Sequence, residues 1–173
     1  EVNFEACLEF VCDPIRVRRY TLTLIDIRQY YKKNNRPEMP MSLEAKMMVL
    51  SNYLRVTFKE WDFVGFYYLN KERSLDELEL GPYATIIKTP QPLFKKGQGI
   101  VGKVWETEEA FWVNNVAQHK DWITFDSRAR SEMAIPSFDL NGELIGVFMV
   151  YTELPHMFEQ TDQLCLEEIL NYL

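Results

Sequence analysis

Cysteine, histidine and glycine are scarce in this chain of 173 residues, with three, two and seven respectively. The cysteines, Cys7, Cys12 and Cys165, are odd in number and show no Cys-x-x-Cys spacing. That pattern argues against a disulfide framework and against a zinc site, and it fits a reducing compartment, the cytoplasm. His119 and His156 lie far apart in polar stretches. His119 can be imagined reaching a pocket, but an exposed loop histidine is the plainer reading. No HExxH pair, no serine nucleophile elbow and no phosphate loop ending in Gly-Lys-Ser/Thr is present. The expectation is therefore no metal and no cofactor. No apolar run reaches the roughly 18 residues a membrane span needs. The opening Glu1-Val2-Asn3-Phe4 lacks the basic and then apolar regions of a signal peptide. Positive charge is also short. Nineteen Lys and Arg against 26 Asp and Glu leave a net −7, which disfavours nucleic acid and anionic membrane as partners. With no initiator Met and an end inside an apparent helix, the chain reads as a segment of a longer protein.

What is abundant is apolar and aromatic: 47% and 14% of residues, enough for one domain with a sizeable core. Residues 3–12 space Phe4, Cys7, Leu8 and Val11 as one helical face. Asp13-Pro14 then opens a second helix over 15–33, because Asp caps free amides and Pro needs no donor in a first turn. Arg16, Arg18, Arg19 and Arg28 line much of its polar side, and a solvated face is the simplest account of them. Residues 34–40 break the helix, and Ser42 caps a third over 43–59. From Trp61 the period becomes strand-like: strands over 63–69, 78–80 and 84–88, with a bend at Gly81-Pro82. Helices, then strands, then a final helix capped by Thr161 give an α+β fold: an antiparallel sheet with helices packed to one side.

Residues 97–143 organise the rest. The glycine-punctuated turn Gly97-Gln98-Gly99 leads into a helix over 100–107. Its amides can point at a ligand, or the turn can serve packing alone. A strand over 110–116, a long polar loop and a second strand from Ser131 follow. Asn141-Gly142 marks a type I′ hairpin returning over 144–151. These pieces make one wall and a lid of a pocket on the sheet.

Their order resembles the GAF domain. The residues carrying the resemblance are Phe63-Val64-Gly65-Phe66-Tyr67, Leu78-Glu79-Leu80-Gly81-Pro82-Tyr83, Gly97-Gln98-Gly99-Ile100-Val101-Gly102, Ser131-Glu132 and Gly142-Glu143-Leu144-Ile145-Gly146-Val147. The closest branch is similar to the free methionine-(R)-sulfoxide reductases. The resemblance implies residues 41–173 as the domain and 1–40 as an N-terminal helical extension. It further implies first and last helices on one face of the sheet, meeting a second copy or a neighbouring signalling domain, and a loop-covered pocket on the other face.

Sulfoxide reduction needs a thiolate at the substrate sulfur and a second thiol to resolve the intermediate. The resemblance places those cysteines at Gln91, Val101 and Phe125, none of which is a thiol. It keeps a glutamate at Glu132 and the aromatic positions Phe63 and Tyr67, but puts Met149 and Tyr151 where the reductases carry aspartates. The expected pocket is Phe63, Tyr67, Val101, Trp112, Phe125, Glu132, Met149 and Tyr151. Arg128 and Arg130 in the covering loop pair either with a ligand anion or with Asp126 and Glu132. Cys165 reads as buried and structural. The reading is a non-catalytic domain that senses a small molecule or binds a protein. The alternatives are a divergent reductase drawing on Cys7 or Cys12, and a structural dimerisation module whose pocket is filled.

Overall fold

The computed structural model describes residues 13–86, 90–119 and 128–173. The expected helix over 3–12, with Cys7 and Cys12, lies outside the described residues, as do Trp122, Phe125 and Asp126.

Helix α1 (Pro14–Asn34) starts as its sequence dictates: the Asp13 side chain accepts from the Ile15 amide at 3.0 Å and Pro14 takes the first turn. Helix α2 (Leu43–Thr57) is capped by Ser42, whose Oγ accepts from the Ala45 amide at 3.1 Å. Six strands follow around helix α3 (Gly99–Thr107): β1 (Phe63–Leu69), β2 (Glu77–Thr85), β3 (Leu93–Lys95), β4 (Phe111–Val113), β5 (Ser131–Phe138) and β6 (Leu144–Thr152). Helix α4 (Gln160–Leu170) closes the order. The strands form one sheet, ordered β3-β2-β1-β6-β5-β4, with every adjacent pair antiparallel.

The sheet has a core on each face, sorted by the period-two alternation of strands. One core packs Val64, Phe66, Met133, Ile135, Phe148 and Val150 under α1, α2 and α4. The other packs Phe63, Tyr67, Ala134, Val147, Met149 and Tyr151 with α3. Helix α1 is continuous with the first core through Tyr20, Leu24 and Ile27, each at most 3% exposed.

Several local expectations change. Gly81-Pro82 does not split β2, which runs through it as one strand. β3 was not anticipated; three residues suffice because they pair with Glu77, Leu78 and Glu79. The strand over 110–116 shrinks to Phe111–Val113 and gives way to a 3₁₀ turn at Val116–Gln118. The hairpin is not type I′, since Gly142 has φ of 79° but Asn141 is not left-handed. The Asp139 carboxylate accepts from the Asn141 and Glu143 amides at 2.8 and 2.9 Å, and the Gly142 amide donates to the Asp139 carbonyl. That side chain favours a three-residue loop with a left-handed glycine. Helix α4 is capped by Glu159 in a reciprocal box with Asp162, and Thr161 is buried inside its first turn.

The arginines of α1 are not simply a solvated face. Arg16 Nη1 lies 2.7 Å from Oδ2 of Asp162, which is buried and also accepts from Tyr20 Oη at 2.7 Å and the Glu159 amide at 2.9 Å. Arg19 grips Glu60 with both terminal nitrogens, at 2.6 and 2.9 Å. Desolvation pushes the Asp162 carboxyl above its ordinary 3.8, with the bonds from Tyr20 and Arg16 pulling it part of the way back.

Candidate functional site

The face of the sheet opposite the helix layer gathers most of the expected pocket residues. Antiparallel register sets Phe63 opposite Tyr151, Gly65 opposite Met149 and Tyr67 opposite Val147, while Glu132 lies opposite Tyr151 on its other side and Ala134 opposite Met149. Phe63 is the hub. Its ring stacks on Tyr151 at 5.4 Å with 3° between planes, and on Tyr83 at 5.8 Å with 16°. Tyr67 meets Phe94 edge-on at 4.8 Å. Gly65 lets this wall form: a Cβ there would sit 2.5 Å from the Cβ of Tyr83.

Helix α3 supplies the neighbouring wall. Ile100, Val101 and Val104 are buried in the same core as Phe63 and Tyr67. The helix approaches closely because of Gly102, whose added Cβ would stand 2.3 Å from the Lys95 carbonyl oxygen. The Gln98 side chain does not cap the helix. Its Oε1 instead accepts from the Lys95 amide at 3.0 Å, locking the turn before it.

Polar groups inside this face are few. Glu132 is 3% exposed between Tyr151 and Val113. The Tyr67 hydroxyl donates to the Gln91 carbonyl at 2.7 Å. Burial, and after it the nearby Glu132 charge, hold the Tyr67 phenol far above its ordinary 10.0, so it remains a neutral donor. A buried carboxylate on a face that also carries aromatic rings brings together groups that attract cations and hydrogen-bond donors.

Not every expected residue is here. Trp112 is paired with Met133 and packs against the helix-side core. Phe111 and Val113, its neighbours in β4, take the face assigned to it. Four apolar residues run from Ala110 to Val113, so no alternation distinguished the two faces. Arg128 is exposed and pairs with Glu153 at 3.0 Å, and Arg130 Nη1 donates to the Ala129 carbonyl at 2.9 Å. Phe125 falls outside the described residues. Val101 is buried in the wall, and Gln91 participates through its backbone. Cys165 is 2% exposed in the helix-side core, the position expected of it. His119 is half-buried, edge-on to Phe111 at 5.4 Å.

Sequence reading missed Tyr83 and structural roles for Ser131 and Asn114. Asn114 exchanges hydrogen bonds with the Phe158 backbone at 2.9 and 3.0 Å, while Ser131 Oγ donates to the Leu154 carbonyl at 2.7 Å. Together they staple β4 and β5 to the chain entering α4. Among the described residues no cluster of His, Cys, Asp and Glu could hold a metal, and no helix is long and apolar enough to cross a membrane.

Solved structures share this arrangement. A free methionine-R-sulfoxide reductase from Neisseria meningitidis, in complex with its substrate, superposes with a TM-score of 0.78 at 27% identity, covering 93% of this chain and 88% of that one. The GAF domain of a phosphoenolpyruvate-protein phosphotransferase from Acinetobacter gives 0.70 at 19% identity, over 88% and 89%. A type II free methionine-R-sulfoxide reductase from Thermoplasma acidophilum gives 0.66 at 21%, over 73% and 86%. No curated protein sequence matches. The family model described as "GAF domain" matches residues 48–173, and with that match over a two-faced sheet of this topology the chain belongs to the GAF domain family.

Proposed function

We propose that this chain is a non-catalytic sensory domain of a cytoplasmic regulatory protein, which binds a small molecule on the face of Phe63, Tyr67, Glu132, Met149 and Tyr151. The observation that supports the reading is the make-up of this face: Phe63, Tyr67, Met149 and Tyr151 are buried in one cluster, with Glu132, 3% exposed, opposite Tyr151. Ligand binding would bias the packing of β5 and β6 beneath α1 and α4. Those helices in turn meet a second copy or a neighbouring signalling domain.

The test is thermal denaturation against a panel of amino acids, alkylamines, nucleotides and small anions. The expected result is a rise in melting temperature with at least one member, lost in Glu132→Gln. Absence of a shift with every member would point to a structural module whose pocket is filled by its own side chains. The likeness to the Neisseria enzyme supplies the rival reading, a divergent reductase using Cys7 or Cys12. Turnover of free methionine sulfoxide with a thiol reductant, abolished by replacing both cysteines with serine, would establish that rival and sink the non-catalytic reading.

A further inference from the structure

Strand β5 is longer than the strand beside it. β4 pairs only with Glu132, Met133 and Ala134, so Pro136, Ser137 and Phe138 have β6 on one side and, among the described residues, no strand on the other. All three line a concavity of about 1300 Å³, to which none of the residues proposed to bind the small molecule contributes. Side chains of a strand alternate between its faces. Three consecutive lining residues therefore set the backbone edge itself along the opening. Proline is tolerated in a sheet at such an unpaired edge, where no ladder bond is lost.

The edge has its own chemistry. Ser137 is 3% exposed, and its hydroxyl has no hydrogen-bond partner. A buried hydroxyl left so is a standing penalty that an incoming backbone can relieve. Next to it β6 carries one extra residue: Ser137 pairs with Gly146 and Phe138 with Leu144, and Ile145 bulges between them into the lining. Bulges re-aim a side chain in this way. Phe138 is 41% exposed and Leu140, at the hairpin tip, fully so. Glu108 and Glu109, in the turn leading into β4, are exposed and form no ion pair among the described residues. The other charges of the lining are mostly engaged. Arg28 donates to the Tyr172 hydroxyl, Lys46 Nζ donates to the Leu173 carbonyl at 2.9 Å, and Asp139 and Glu167 accept from the Asn141 amide and the Gln163 side chain, which leaves Lys32 against the two glutamates.

From these features we infer that the free edge of β5 is a docking site for an extended segment of another protein, apolar and basic in alternation, which adds as a short strand beside Pro136–Phe138. Pro136 has no N–H to offer, so the edge is short of donors, and the incoming amides supply them to its carbonyls and to the Ser137 hydroxyl. One set of alternate side chains covers Phe138, Leu140 and Ile145. Lysines or arginines of the other set meet Glu108 and Glu109, and the net charge of −7 favours a basic segment over an acidic one. The contact lies on the sheet edge, apart from the outer helical surface expected to meet a second copy or a neighbouring domain. It does not rest on the small-molecule reading.

The test is fluorescence anisotropy with labelled, end-capped octapeptides that alternate Val, Ile, Leu or Phe with Lys, followed by hydrogen–deuterium exchange of the complex. At least one peptide binds with Kd below ~500 µM. Replacing its lysines with glutamates weakens binding by about tenfold or more, because like charges then meet. Methylating its backbone nitrogens at unchanged charge does the same, because the edge loses its donors. Glu108→Lys with Glu109→Lys, both at exposed positions and checked for fold by circular dichroism, weakens the basic peptide by about tenfold. Bound peptide slows amide exchange over residues 135–140. No binding by any member at ~1 mM overturns the inference. So does binding that survives backbone methylation, which is charge attraction without strand addition, or binding indifferent to the Glu108 and Glu109 reversals. Protection that falls on β1 instead places the peptide elsewhere on the sheet and has the same force. Melting shifts with small molecules are read separately, so either proposal can fail alone.

Discussion

Phe148 and Met149 are adjacent in β6, yet they belong to different compartments. Phe148 packs edge-on against Phe66 at 5.3 Å beneath three helices. Met149 lies opposite Gly65 and Ala134, in the same buried cluster as Phe63. The helix-side compartment holds a buried carboxylate, Asp162, and surrounds it with Arg16, Tyr20 and the Glu159 amide. The other compartment mixes stacked rings with a buried carboxylate and a phenol that donates to backbone. One side is apolar around that centre, and the other carries polar groups among its rings.

Substitutions can break or sharpen that contrast. The largest effect is expected for Phe148→Ala, which opens a cavity in the helix-side core and costs about 3–5 kcal/mol in urea unfolding. Met149→Ala next door should cost about 2 kcal/mol, the low end for such a truncation. Equal costs would erase the distinction between the faces. Asp162→Ala follows at about 2–4 kcal/mol, because it strands Arg16 and the buried Tyr20 hydroxyl. Glu132→Gln should alter stability by less than about 1 kcal/mol, since it keeps the shape while removing a buried charge. A larger loss would make Glu132 a structural residue.

The smallest effect is a pair of opposed pH slopes. The Asp162 carboxyl is raised above 3.8, chiefly by burial. Its contribution is therefore greatest below about pH 4 and declines as pH climbs through the raised value. Burial also pushes Glu60 upward, but the Arg19 hydrogen bond and charge more than offset it and leave Glu60 below 4.5. Its contribution is present above about pH 4.5 and is lost as pH falls. Unfolding free energies between pH 3 and 7 should show Asp162→Asn removing the first slope and Glu60→Gln the second. Matching slopes in the two variants would refute the assignment.

The helix starts were legible because their signals are local: Asp13-Pro14 and Ser42 need only the next three residues. The grouping of Phe63, Tyr67, Met149 and Tyr151 on one face came from the family resemblance, since β1 and β6 are apolar almost throughout and alternation alone does not separate their faces. What stayed hidden depends on distant partners. Arg16 and Arg19 looked solvated because Asp162 and Glu60 are remote in sequence. β3 exists only through its pairing with β2. Trp112 was put on the wrong face because β4 is three residues long and uniformly apolar. The hairpin was misread because the Asp139 side chain outweighs the Asn-Gly pair that follows it.

The alternation along β6 carries an evolutionary consequence. Neighbouring codons of one strand answer to separate demands, so half of them can drift toward a new recognition task while the other half stay fixed. A saturation scan of Val147 through Tyr151 would then read as a comb, with Phe148 and Val150 less tolerant than the residues on either side of them.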